Sequence, residues 1–188
     1  MAFRIQDIKS KLEFGGARST LFNVVITLPD TIDFDAPANR DVFGSKISFL
    51  CRAASLPASN LGTLTVPYFG RNIKLGGQRT FDAWSITVIN DEDFALRSCF
   101  EAWVNAINSA TENMRMKGAT SSPSTYKTDA IASQFAKDND AQPIYKYRFE
   151  GLFPENVSEI SLNWETESIE EFTVSFQYDL WELDRGPD

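Results

Sequence analysis

The chain has 188 residues, of which 43% are hydrophobic, and this composition is typical of one folded domain rather than a disordered segment. It contains no histidine, which excludes Ser-His and Cys-His catalysis and imidazole-based zinc sites. The net charge of −8 argues against tight wrapping of nucleic acid, because such binding depends on Lys and Arg to neutralise phosphates.

Cysteine usage and hydropathy set two further expectations. Cys51 and Cys99 are predicted to be two buried thiols rather than a disulfide, because one cysteine pair without a secretory signal is typical of reduced proteins. No stretch approaches the roughly 20 apolar residues that cross a bilayer, so we expect no membrane partner.

We interpret residues 1–20 as an N-terminal arm and residues 21–188 as a single domain. Seven segments of that domain have the alternation or the composition of β-strands. In chain order they are residues 21–28, 45–56, 62–79, 84–90, 126–151, 160–164 and 169–183. Loops are predicted at residues 30–44 and 112–124, and a turn at Gly76-Gly77.

Two of the strand segments predict hairpins. Residues 62–79 turn near residues 69–72, and residues 126–151 turn near residues 138–140. Pro67 lies within the first arm of the first hairpin. Because proline cannot donate a ladder hydrogen bond, this hairpin is predicted to be a sheet edge or a projecting ribbon.

One segment has helical periodicity. Its apolar stripe recurs every three or four residues and predicts a helix over about residues 93–110; the stripe consists of Leu96, Phe100, Trp103, Val104 and Ile107. Asn90 is the predicted N-cap. The acidic run at residues 91–93 is interpreted as helix capping rather than as a cation site.

The predicted elements define a fold class. About eight or nine strands and one helix, without repeated βαβ alternation, indicate a mainly β protein. We expect an antiparallel β-barrel or sandwich flanked by one α-helix.

Residues 151–188 concentrate the negative charge. They carry ten acidic side chains and one basic side chain, whereas the first 150 residues carry sixteen acidic and seventeen basic. The same segment alternates strictly, with one face formed by Phe172, Val174, Phe176, Tyr178 and Leu180. Trp181 falls on the opposite, polar face and is predicted to lie at an interface. Trp84, Trp103 and Trp164 are predicted core residues.

No catalytic, cofactor-binding or metal-binding residue is predicted. Four glutamates invite comparison with the carboxylate pair of glycoside hydrolases: Glu165, Glu167, Glu170 and Glu171. We interpret them as solvated side chains, because no pair is singled out by spacing. A carbohydrate-active β-sandwich, which a glycan-binding screen would detect, stays open as the alternative from another functional class.

Three blocks of sequence resemble one known family. They are GGQRTFDAWSITVINDEDFALRSCFEAW at residues 76–103, SPSTYKTDAIASQFAKD at 122–138, and GLFPENVSEISLNWETESIEEFTVSFQYDLWE at 151–182. Together they closely resemble the tail tube proteins of contractile-tailed bacteriophages, a family related to the inner tubes of type VI secretion systems. Residues 30–44 are longer than the family pattern leads us to expect.

The resemblance implies a non-enzymatic role in the virion tail. Members of the family form rings of six that stack into a hollow tube inside a contractile sheath. The tube is a conduit for tape-measure protein and then for DNA, which passes without specific binding. The implied partners are other copies of the chain, sheath, tape-measure, baseplate and tail terminator proteins, with assembly in the host cytoplasm. The runner-up roles are a tube initiator and the inner tube of a type VI or extracellular contractile injection system.

Candidate contacts between subunits or rings follow from charge and position. The first hairpin carries basic residues that can meet acidic neighbours, and the candidates are Tyr68, Arg71, Lys74 and Arg79, with Trp181 and the loop at residues 55–61. We expect strands of neighbouring subunits to extend a shared inner sheet around the channel. Some acidic side chains are expected to face the lumen.

Overall fold

The computed structural model describes residues 9, 11–12, 16–32, 34, 40–114, 122–137, 143–165 and 167–184. Within these residues lie nine strands and two complete α-helices. The strands are β1 (Phe22–Ile26), β2 (Cys51–Ala54), β3 (Asn60–Tyr68), β4 (Arg71–Thr80), β5 (Trp84–Ile89), β6 (Thr128–Phe135), β7 (Pro143–Val157), β8 (Glu171–Gln177) and β9 (Leu180–Asp184). The helices are α1 (Arg40–Leu50) and α2 (Ala95–Ile107). No helix in this part of the chain combines the length and the apolar character needed to span a bilayer.

Seven strands form one antiparallel sheet in the order β1-β6-β7-β8-β5-β2, with β9 also paired to β7. Strands β3 and β4 pair only with each other among the described residues and form a separate two-stranded sheet. The predicted mainly β, antiparallel class is confirmed. Strands β1 and β2, at the two ends of the order, approach each other, but no ladder joins them in the described residues, so the sheet is open rather than closed into a barrel.

Strand β7 is shared by both halves of the large sheet. Its first half pairs with β6 and β9, and its second half pairs with β8. The change occurs at Gly151, which has a φ of 68°. In the connection between β8 and β9, the Asp179 amide donates a hydrogen bond of 3.0 Å to the Glu150 carbonyl. This corner directs the two halves of the sheet around one core.

The core is aromatic and lies between the sheet and the helices. Trp84 stacks on Phe149 with ring centroids 4.4 Å apart. From α2, Phe100 contacts Phe176 of β8 edge to face at 5.8 Å. Burial confirms the predicted inward face from Phe172 to Tyr178 and most of the predicted stripe of α2. Leu180, Val104 and Ile107 are only partly buried. Cys51 and Cys99 are buried free thiols, as predicted.

Helix α1 contradicts two predictions. Residues 40–44 belong to a helix rather than to a loop, and residues 45–50 belong to the same helix rather than to a strand. Phe43 and Ile47 are buried four positions apart, which is the spacing of one helix face. Phe49, which the strand alternation placed beside Ile47, is 86% exposed.

Residues 160–164 were wrongly predicted to form a strand. They are irregular, because the Asn163 side chain accepts a hydrogen bond of 2.9 Å from the Glu165 amide and so closes a local turn. Trp164, predicted to lie in the core, is fully exposed. Residues 169–183 form two strands, β8 and β9, rather than one.

Two local predictions were also wrong. Gly76-Gly77 lies inside β4 rather than in a turn. A Cβ on Gly77 would lie 3.1 Å from the Gly62 carbonyl carbon, so the pair allows β3 and β4 to approach closely at a register shift. Asn90 is not the N-cap of α2, since that position is occupied by Phe94. The Ala95 amide instead donates to Asp93 at 3.1 Å.

Some predictions fall mainly outside the described residues. Lys9 and Lys11 are helical, but most of the predicted arm and the turn at residues 138–140 lie outside. The two arms of that second hairpin, β6 and β7, pair as predicted.

Candidate assembly surfaces

The two-stranded ribbon formed by β3 and β4 exposes an apolar face. Cross-strand pairing places five side chains on one side of the ribbon: Leu64, Val66, Tyr68, Ile73 and Leu75. Each of them is between 45% and 61% exposed. Phe69, in the turn, is 90% exposed. Apolar side chains gathered on one thin element in this way mark an interaction surface.

The candidate ribbon residues occupy three positions. Tyr68 and Arg71 form the last cross-strand pair before the turn, so both lie at the tip. Lys74 pairs with Thr65 on the opposite face, and Arg79 pairs with Leu61 near the base. The structure therefore brings Tyr68 and Arg71 together at the tip, whereas Lys74 and Arg79 lie apart from them and from each other.

The ribbon is basic throughout. Residues 60–80 contain Arg71, Lys74 and Arg79 and no acidic residue. Within the described part of the chain, none of these three cations forms an ion pair. The ribbon is therefore an exposed element that carries both apolar area and uncompensated positive charge.

The base of the ribbon is held by hydrogen bonds to the body. The Trp84 indole donates to the Ser55 carbonyl at 2.7 Å. The Trp181 indole donates to the Ala58 carbonyl at 3.2 Å, and its ring packs against Tyr147 with centroids 5.6 Å apart. Trp181, predicted at an interface, is half-buried against the segment that leads into the ribbon.

The acidic C-terminal segment does not present its charge on a single face. The outer face of β8 carries one carboxylate, Glu171, beside neutral side chains, and its hydroxyls meet those of β5: Ser175 lies 3.2 Å from Ser85. Several carboxylates have partners within the chain. Glu171 pairs with Arg52, and Asp179 pairs with Lys127 at 2.6 Å.

Glu155, Glu182 and Asp184 are exposed on β7 and β9, and the largest remaining group of carboxylates lies in one loop, residues 158–170, which we call the acidic loop. It contains four glutamates and no basic residue. Glu170 accepts a hydrogen bond of 3.0 Å from Asn90. The other three carboxylates have no ion-pair partner among the described residues: Glu159, Glu165 and Glu167.

The acidic loop also exposes large apolar side chains. Leu162 is 78% exposed, Ile169 is 73% exposed, and Trp164 projects fully into solvent. The two limbs of the loop enclose a recess of about 450 Å³. Sequence reasoning missed this surface because the alternation of Ile160, Leu162 and Trp164 is the same as that of a buried strand face.

The acidic run before α2, residues 91–93, binds the side chain of a lysine from α1. Lys46 of α1 donates to Asp91 at 2.6 Å and also bonds Asp93. These hydrogen bonds raise the pKa of Lys46 and lower the pKa of Asp93. The run therefore ties α1 to the start of α2, and no cluster with the make-up of a metal site is found in the described residues.

The open sheet leaves strand edges available. Within the described residues β1 pairs only with β6, and β2 only with β5. Between them lies a recess of about 160 Å³ lined in part by Phe22, Asn23 and Leu56. The Asn23 side-chain oxygen is buried there without a donor among the described residues. Such edges are templates for pairing with another chain.

Comparison with known proteins relates the chain to one family. The phage tail tube protein family matches residues 17–184 of the chain. The chain is 33% identical over 181 residues to "Tail tube protein gp19" of Enterobacteria phage T4. The aligned region covers 95% of this chain and 99% of that protein.

Solved structures show the same fold. A chain of the anti-feeding prophage baseplate has a TM-score of 0.61 and 13% identity, covering 89% of this chain and 95% of that chain. A chain of the sheath–tube complex of an extracellular contractile injection system has a TM-score of 0.58 and 14% identity, covering 98% of this chain and 100% of that chain. At these identities the likeness concerns the fold alone.

Proposed function

The chain belongs to the phage tail tube protein family, and from this premise we propose that six copies form a ring and that rings stack into the hollow inner tube of a contractile tail. Proteins of this family are structural components, so the chain is not an enzyme. The proposed tube is a conduit, first for a tape-measure protein and then for DNA.

The observation that carries this proposal is the exposed ribbon. A two-stranded ribbon with an uncovered apolar face is marginal on its own in water. Its apolar side chains, 45% to 61% exposed in the single chain, become buried when another copy covers them. The ribbon therefore supports self-assembly better than any other feature of the described residues.

The open edges β1 and β2 support ring formation. Head-to-tail contacts generate a closed ring when the rotation between neighbours closes. Pairing between edge strands of neighbouring subunits would continue the sheet around the ring and remove the free edges. We propose that this continuous sheet surrounds the channel.

The charge of the chain suits a channel for DNA. A tube wall that bound phosphates through Lys and Arg would slow the passage of a polyanion. With a net charge of −8, each ring of six would be strongly acidic. We propose that some acidic side chains of residues 151–184 line the lumen and that DNA passes without specific binding.

The partners that we propose follow from the assemblies of the similar proteins. One structural neighbour comes from a sheath–tube complex and another from a tube-terminating cap. We propose sheath, tail terminator and baseplate proteins as partners of the tube, with the virion tail as its place and the host cytoplasm as the site of assembly.

Two related roles share this fold, namely tube initiator and inner tube of an injection system. Tube protein is favoured, because the 33% identity to a phage tail tube protein extends over 95% of the chain, whereas the injection-system neighbours share only the fold. A tube protein extends without a fixed limit, whereas an initiator stops at one ring.

Negative-stain electron microscopy of the concentrated protein tests the proposal. We expect uniform hollow tubes, and single rings alone would indicate an initiator. The variant Arg71→Glu/Lys74→Glu should raise the concentration needed for tubes about tenfold or more, while its melting temperature stays at the wild-type value, since both side chains are exposed. A matched control, Arg18→Glu/Lys137→Glu, makes the same change in charge at exposed positions outside the ribbon and should leave tubes intact. Normal tubes from the ribbon variant would contradict the proposed contact.

A further inference from the structure

We propose that the ribbon of one copy docks on the acidic loop (residues 158–170) of the next copy, head to tail. This inference rests on the proposed function, because it names the surface that receives the ribbon in the assembled tube. Four observations carry it: the placement of the two elements, their charges, their exposed apolar side chains and the recess inside the loop.

The two elements leave opposite ends of the same pair of strands. Strands β5 and β8 pair in register from Trp84 opposite Phe176 to Ile89 opposite Glu171. The ribbon joins β5 at the Trp84 end, and the acidic loop joins β8 at the Glu171 end. The ribbon of one copy therefore faces the loop of another when copies align head to tail along these strands.

The charges of the two surfaces are complementary. The ribbon carries three cations and no acidic residue, and the acidic loop carries four glutamates and no cation. The charges at the tip of each element lack an ion-pair partner within the described part of their own chain. Opposite potentials of this kind fix the register of an interface and suppress wrong pairings.

The apolar surfaces also match. Covering Trp164 and Leu162 of the loop with the apolar face of the ribbon would remove both exposed patches at once. Aromatic side chains with apolar neighbours are the usual anchors of protein interfaces. The recess of about 450 Å³ between the limbs of the loop offers space for side chains of the ribbon tip, such as Phe69 and Arg71.

A contact between two different surfaces of the same chain is heterologous. A row of docked copies has a free ribbon at one end and a free acidic loop at the other, so the contact repeats without limit. This property is what stacking into a long tube requires. A single two-fold dimer would instead use one surface on both copies.

The test uses two charge-reversed variants of the full chain. The ribbon variant is Arg71→Glu/Lys74→Glu, which reverses the cation on the apolar face at the tip and the nearest cation on the other face. The loop variant is Glu165→Lys/Glu167→Lys. Alone, each variant places like charges at every contact, and we expect the concentration needed for tubes to rise about tenfold or more. In an equimolar mixture, the ribbon of each variant meets a loop of opposite charge on the other variant. Tubes in which the two variants alternate should then form near the wild-type concentration.

A control mixture separates specific docking from charge balance. It combines the ribbon variant with Glu92→Lys/Glu112→Lys, which reverses two exposed carboxylates outside the acidic loop and should not restore tubes. Restoration in the control mixture, normal tubes from the loop variant alone, or failure of the first mixture to assemble would each overturn the docking.

Sedimentation velocity of the same samples distinguishes failure of the docking from failure of the proposed function. Wild-type protein that associates into chains but never into hollow tubes would contradict the tube role. In that case the docking is still judged by whether the mixture restores association. A wild-type chain that stays monomeric at every concentration overturns both.

Discussion

At the scale of single residues, Gly151 lets one strand serve both halves of the sheet. Its φ of 68° lies in the left-handed region that residues with a Cβ avoid. A Cβ at this position would also lie 2.8 Å from the Asp179 carboxyl carbon. Asp179 is held in place by Lys127, so the side chain that would be displaced is itself part of the corner.

Gly151→Ala should therefore destabilise the chain, by about 2 kcal/mol or more, measured by denaturant unfolding. Gly44→Ala is the matched control. Gly44 lies in α1, and an added Cβ would have no atom within 4 Å apart from its chain neighbours and the backbone of its own helix, so alanine should stabilise that helix by about 0.5–1 kcal/mol. Equal effects of the two substitutions would contradict the role assigned to the corner.

The Lys46–Asp93 pair predicts a dependence of stability on pH. The folded pKa of Asp93 lies below its ordinary value of 3.8, so its contribution is complete above that value and is lost as pH falls through the folded pKa. The folded pKa of Lys46 is raised above 10.5, so its contribution is complete below 10.5 and is lost as pH rises through the raised pKa.

Lys46→Met should lower the melting temperature slightly and by a constant amount between about pH 5 and pH 9. The difference from wild type should shrink as the pH falls below 3.8, because the wild-type pair is then lost as well. A difference that stays the same at pH 3 would show that the lysine acts through packing rather than through its charge.

At the scale of elements, α1 shows how two periodicities compete within one segment. Alternation of Ile47, Phe49 and Cys51 favours a strand, whereas Phe43 and Ile47 fit a helix face. The helix prevails because Phe43 reaches Phe100 of α2, with ring centroids 5.2 Å apart. The helix then continues directly into β2 at Cys51.

The two phenylalanines of α1 give a matched test of this interpretation. Phe43 is 1% exposed, and Phe43→Ala should cost about 3–5 kcal/mol. Phe49→Ala, at the exposed position of the same helix, should stay within about 0.5 kcal/mol of wild type. Guanidinium unfolding of both variants measures the difference. A large loss from Phe49→Ala would instead favour the strand.

At the scale of the whole molecule, folding and assembly use separate parts of the chain. The buried core is formed by the large sheet and the two helices, and no ribbon residue belongs to it. The ribbon instead supplies exposed apolar area and positive charge. We therefore expect the body to fold without the outer part of the ribbon.

Replacing residues 64–75 with Asn-Gly tests this separation. Thr63 and Gly76 face each other across the ribbon, and Asn-Gly suits a two-residue hairpin turn. The shortened chain should keep the wild-type melting temperature and circular dichroism, and electron microscopy should show no tubes. Loss of cooperative unfolding in the shortened chain would contradict the separation, because it would place the ribbon in the core.

Elements whose pattern is local can be predicted from the amino-acid sequence. The alternation of β8, the stripe of α2, the first hairpin with its turn and the resemblance to the tail tube family are all readable along the chain. Each of them depends on residues close together in sequence, so the physical signal is contained in a short window.

Strand pairing between distant segments is visible only in the folded chain. Residues 160–164 have the alternation of a strand, but they pair with no strand among the described residues and leave Trp164 in solvent. The independence of the ribbon, and its position at the opposite end of β5 and β8 from the acidic loop, also depend on pairings between distant residues. Those pairings leave four glutamates of the C-terminal segment in the same loop as an exposed tryptophan, because burial and register are properties of the whole sheet and not of any one segment.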